Sequence, residues 1–145
     1  MKCNINCKRM VLGGIVAGVV ITSIDWIAHG CILGDRYMKL VKMGYYFDQP
    51  TFPFIPVSMG QCFVVGMFLS WLYSVSRDTL GPGPIAALKI GMVVGFIAAV
   101  PYNVAMVAWS PIGKFVPFVT CLATFTQCIV GTIAAGALYK PSNPN

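Results

Sequence analysis

Residues 10–34 read MVLGGIVAGVVITSIDWIAHGCILG, a run of 25 residues holding one carboxylate, one imidazole and no basic side chain. A helix crossing a ~30 Å hydrocarbon layer needs about 20 mostly apolar residues, so this stretch is long enough to span. Three more blocks of the same kind follow, at about 55–75, 85–109 and 115–139. Of ten basic and four acidic residues in the whole chain, only Asp25 and Lys89 fall inside a block. Backbone polar groups in lipid must be satisfied internally, which leaves helices or closed barrels. Unbroken apolar runs of this length predict helices. The expected fold is therefore all-α, a polytopic membrane protein with four transmembrane helices in an up-down antiparallel bundle forming a single domain. A soluble all-α bundle would need polar helix faces, and these blocks have none.

Composition agrees. The 145 residues are 57 % hydrophobic and 10 % charged, against roughly 25 % charged residues in an average soluble domain. Ordinary cytosolic enzymes, disordered tails and disulfide-stapled miniproteins are excluded. The first block has a basic start (Lys2, Lys8, Arg9) but is long and lacks an A-x-A site. Ala28-His29-Gly30-Cys31 is a poor lipoprotein cleavage box, so the first helix is expected to stay. The net charge of +6 is spread along the chain with no basic cluster above three residues, which predicts membrane-interface anchoring and no nucleic-acid partner.

Between the first two blocks, residues 35–54 form an aromatic loop with Tyr37, Tyr45, Tyr46, Phe47, Phe52 and Phe54. Helical spacing can continue through Tyr37, Leu40 and Val41 before Pro50 and Pro53 stop it. Such aromatics belong at headgroup level. Leu80-Gly81-Pro82-Gly83-Pro84 and Ser110-Pro111-Ile112-Gly113 read as short turns, implying antiparallel neighbours. Basic residues near the helix ends divide six (Lys2, Lys8, Arg9, Arg77, Lys89, Lys140) against four (Arg36, Lys39, Lys42, Lys114). That asymmetry predicts both termini in the cytoplasm.

Small residues recur four apart: Gly14 and Gly18 in the first helix, and Ala87, Gly91, Gly95 and Ala99 in the third. They let membrane helices approach closely, either within the chain or against a partner. Polar residues within the blocks are fewer and more telling. Asp25 and His29 are i, i+4 and share a helix face. A carboxylate in a membrane helix is costly unless it finds a partner or water. At 1.5 Å per residue, Asp25 lies about 22 Å along the first helix, Gln61 about 9 Å into the second from the opposite direction, and Asn103 about 27 Å along the third. These depths predict one intramembrane polar layer of Asp25, His29, Gln61 and Asn103, rimmed by Tyr102 and Trp109. Gln127 is placed nearer mid-membrane and apart from the layer.

The layer has three readings. It is a structural knot in which Asp25 accepts from His29 or Asn103, a proton or ligand site, since imidazole titrates near neutrality and buried carboxylates shift, or a metal or haem site. One His and one Asp are too few for a secure metal site, and a second membrane His for haem is absent, so no metal and no cofactor are expected. Cys3 and Cys7 lack the commoner C-x2-C spacing and fit free thiols in a reducing compartment. Cys121 and Cys128 fit small apolar packers. No phosphate loop, nucleophile elbow or paired carboxylates occur, and an enzyme is not expected.

Asp25-x3-His29-Gly30 with Leu33 and Tyr37 resembles the first-helix signature of groups of small, four-helix bacterial membrane proteins of unknown function. The resemblance extends to Leu80-Gly81, to Ala86/Ala87 with Gly91 and Gly95, and to Pro101, Trp109, Gly131 and Tyr139. It covers most of the chain, implies a bacterial inner-membrane protein, and supplies no activity. Two function classes follow. The first is a non-catalytic accessory or assembly subunit of a larger membrane protein complex, or a homo-oligomer, in contact with membrane lipid. The alternative is a small transporter or channel whose Asp25/His29 layer binds a proton, ion or small ligand.

Overall fold

The computed structural model describes residues 5–140. Among them the regular structure is entirely helical: α1 Cys7–Trp26 with a continuing π-helical turn Ile27–Ile32, α2 Gly34–Lys42, α3 Phe54–Leu80, α4 Pro84–Trp109 and α5 Phe115–Leu138. Four of these segments are long and apolar enough to cross a membrane: Cys7–Ile32, Phe54–Leu80, Pro84–Trp109 and Phe115–Leu138. The chain is a multi-pass helix bundle.

The helices outrun the apolar blocks where a local signal allows it. Asn6 caps α1, its Oδ1 accepting from the Arg9 backbone N–H at 3.2 Å, so the helix starts at Cys7 and not at Met10. α3 continues past Val75 to Leu80, and Gly81 at φ +84° ends it just before Pro82. Pro84 opens α4 at its first turn, where a missing N–H costs nothing. The stretch expected as an aromatic loop over 35–54 is helical in its first half. Leu33, fully buried, packs with Leu40 and Val116, and that anchor turns the chain so that α2 lies over the start of α5.

Chain order does not dictate packing. α1 lies between α3 and α5, and α5 also packs along α4, whereas α3 and α4, joined by a three-residue turn, touch much less. The small residues explain this. A Cβ on Gly66 of α3 would stand 2.5 Å from the Gly18 N and 2.6 Å from the Gly14 O of α1. A Cβ on Gly91 of α4 would stand 2.6 Å from the Ile129 Cα of α5, and one on Gly95 3.2 Å from the Phe125 O. Ala87 and Ala99 are buried on the same α4 face. These contacts bring backbones together where van der Waals packing is the main attraction. The α3 and α4 surfaces that face each other carry Leu72, Ser76, Leu80, Met92 and Val93, leaving an apolar cleft instead. Ser70 Oγ adds a polar tie, donating to the Met10 carbonyl at 2.7 Å.

Candidate functional site

The α1/α3/α5 contact is tight through the middle of the bundle, where Ala17, Leu69, Thr132 and Ala135 are fully buried. Toward the α2 end the helices part around a cavity of about 340 Å³. Every long helix contributes polar groups to its wall: Asp25 and His29, Ser58 and Gln61, Tyr102 and Asn103, and Thr120, Thr124 and Gln127, with Cys62 and Cys128 alongside. The four residues of the expected layer thus line one chamber.

Their hydrogen bonds differ from expectation. Asp25 Oδ1 accepts from Gln127 Nε2 at 3.0 Å. His29 Nε2 stands 3.7 Å from the same oxygen, at ion-pair but not hydrogen-bond distance. Asn103, buried, gives its Nδ2 proton to the Ala99 carbonyl at 2.7 Å and not to Asp25. Gln61 lines the wall without bonding Asp25. Gln127, assigned from the sequence to a separate depth, is the actual partner. It lies twelve residues from Phe115, about 18 Å of helix rise, whereas Asp25 lies about 12 Å from the turn at Leu33. The long amide side chain bridges that difference. Its i, i+4 and i, i+1 neighbours on α5, Gly131 and Cys128, are buried, Gly131 against Ile21 of α1 and Cys128 against Gly91 and Gly95 of α4; apolar blocks alone carry no signal of that direction.

His29 sits in the π-helical turn, where Leu33 N donates to the Ala28 carbonyl at 3.0 Å. Such single-turn bulges recur at functional sites because they re-aim side chains. Gly30 and Gly34 sit in and just after the turn. On its other side His29 meets α2: Nδ1 is 2.7 Å from the Tyr37 hydroxyl, the rings are parallel, and Tyr46 packs edge-on to Tyr37. The Tyr37 phenol is pushed up to about 12, chiefly by burial, then by Tyr46 and Asp25. It therefore keeps its proton through the physiological range, and its hydroxyl shares one hydrogen bond with Nδ1 whose donor is set by the imidazole tautomer. Nε2 is the ring nitrogen that faces Asp25. A smaller cavity of about 140 Å³ adjoins, sharing His29, Tyr102, Asn103 and Thr120 with the first and adding Tyr37 and Tyr46.

A raised phenol has a consequence with a fixed sign. The folded state holds the Tyr37 proton more tightly than the unfolded chain does. Its contribution to stability is complete below the ordinary tyrosine value near 10 and is lost as pH rises toward 12. Spectrophotometric titration of detergent-purified protein should show a late phenolate that Tyr37→Phe removes; full ionisation of all tyrosines by pH 11 in the folded protein would contradict it.

No three His, Cys, Asp or Glu side chains among the described residues are grouped to hold a metal ion. Cys7 and Cys31 are exposed free thiols; Cys3, in the expected Cys-x3-Cys pair, lies outside the described residues. Comparison of the chain with protein-family models, with curated proteins and with solved structures finds no match.

Proposed function

We propose that this chain is a small membrane transporter or channel that binds a proton or small monocation at Asp25. One observation carries the reading: side chains from all four long helices line a chamber of about 340 Å³ that holds a single carboxylate, Asp25, within the usual range of small-ligand pockets, about 300–1,000 Å³. Asp25 is 46 % exposed and His29 34 %, so the carboxylate is open to the chamber and not spent in a closed knot. Asp25 is the one acidic side chain on the chamber wall, and the wall's glutamines, asparagine and threonines offer acceptors for a small ligand's N–H or O–H groups. Proteoliposomes of pure protein, loaded with pH- or cation-sensitive dyes, test the reading; no flux above protein-free vesicles at any imposed gradient would remove it.

The accessory-subunit reading has its own support in the exposed aromatic rim, where Phe47, Phe52 and Trp109 are 85 %, 87 % and 90 % exposed. It loses the small-residue faces, which are occupied within the chain. Mild-detergent purification with mass spectrometry separates the two: stoichiometric larger partners favour the subunit, a lone or self-associated chain the transporter. Residence in a bacterial inner membrane with both termini cytoplasmic belongs to the same proposal and rests on the six-to-four basic asymmetry and the residue resemblance. A C-terminal fusion should be active with a cytoplasmic reporter and silent with a periplasmic one; the reverse pattern would invert the bundle.

A further inference from the structure

α2 carries a second concentration of charge, turned away from the Asp25 chamber. Its Leu40 packs on Val116 at the start of α5, and the Arg36 guanidinium lies 5.0 Å above the Phe115 ring. Beside this contact is a separate pocket of about 300 Å³, with Arg36, Lys39 and Lys114 on its wall and Leu40, Met43 and Ile112 completing it. No carboxylate lines it. Among the described residues the ion pair within 4.0 Å is His29 with Asp25, so no aspartate pairs with these three cations. Their grouping is built in: Arg36 and Lys39 are three apart on one helix face, Arg36 is held over an aromatic ring, and Lys114 precedes the first turn of α5, whose helix dipole adds positive potential. Three like charges around a concave surface with no carboxylate on its wall favour an anion, and guanidinium with ammonium groups suits phosphate oxygens.

We propose that this pocket binds a phosphate-bearing anion, either the headgroup of an anionic phospholipid or a soluble phosphate. The site is distinct from the Asp25 chamber and does not depend on its function. The test has two arms. In nanodiscs of mixed phosphatidylcholine and phosphatidylglycerol, lipid retained on the full chain after transfer to detergent is counted by native mass spectrometry. In lipid-free maltoside detergent, inorganic phosphate is titrated by calorimetry. The wild type should enrich phosphatidylglycerol about tenfold, or bind phosphate saturably, and the Arg36→Gln/Lys39→Gln/Lys114→Gln variant should lose this about tenfold, as expected for removing charge-assisted hydrogen bonds. Lys89→Gln, a cation on α4 outside this pocket, should change neither. Enrichment without phosphate binding identifies a lipid headgroup; phosphate binding without enrichment identifies a soluble anion. Neither signal, or a signal unchanged in a variant that melts like wild type, overturns the site. Arg36→Gln alone serves if the triple variant does not fold.

Discussion

Asp25→Asn should abolish cation or proton flux while leaving the protein folded, and Asp25→Leu should cost both. The carboxylate Oδ1 accepts one hydrogen bond, from Gln127 Nε2 at 3.0 Å, and an asparagine carbonyl can accept the same bond. Leucine cannot, so a polar donor is stranded inside a membrane bundle at a cost of about 1–3 kcal/mol. The charge is what a monocation needs; its removal should lower cation affinity by about 10- to 100-fold. Thermal melting and vesicle flux on the same preparations separate the two effects. If Asp25→Asn carries flux like wild type, Asp25 is a structural fixture and the transporter reading falls. If both variants melt like wild type, the Gln127 bond does not hold the helices.

Gly66→Leu should be the most damaging substitution in the bundle. Gly66 faces the Gly14–Gly18 stretch of α1 so closely that even a Cβ would meet backbone atoms at 2.5 and 2.6 Å. Backbone cannot swing aside as a flexible side chain can. Overpacking costs about 1–3 kcal/mol where the surroundings can adjust; here α1 and α3 must separate and give up their contact along the seam. Gly66→Ala should lower the melting temperature, and Gly66→Leu should prevent accumulation in the membrane. Gly60→Ala, on the same helix with nothing within 4 Å of its added Cβ, is the matched control. Equal accumulation of Gly66→Leu and Gly60→Ala would show that the α1/α3 contact does not hold the fold.

The Asp25 chamber and the Gly66 contact differ in how far they are legible in the sequence. Gly14 and Gly18 announce a close approach by spacing, because a four-residue repeat always shares a helix face. Gly66, the residue they approach, is a lone glycine in a run of valine, methionine and phenylalanine, and its partner helix cannot be read from its own strand of sequence. Likewise the depth of Asp25, His29, Gln61 and Asn103 follows from a fixed rise per residue. Depth leaves the rotation of each helix about its axis undetermined, and rotation selects which amide reaches the carboxylate.

By itself the sequence determined the class: long apolar blocks with almost no charge admit only membrane-length helices, because backbone polar groups in lipid must bond within their own segment. It also placed Asp25, His29, Gln61 and Asn103 toward one end of the bundle, but not Gln127, which joins them there. The tertiary structure decided the neighbours and the pairings. α1 sits between α3 and α5 because glycine seams outweigh chain order. The π-turn at Ile27–Ile32 and the buried Leu33 swing α2 back so that Tyr37 meets His29. Gln127 reaches Asp25 from a helix whose register is set by Gly91 and Gly95 packing on its far side. Each is a matter of contact between segments distant in the chain, which periodicity along any single segment does not encode.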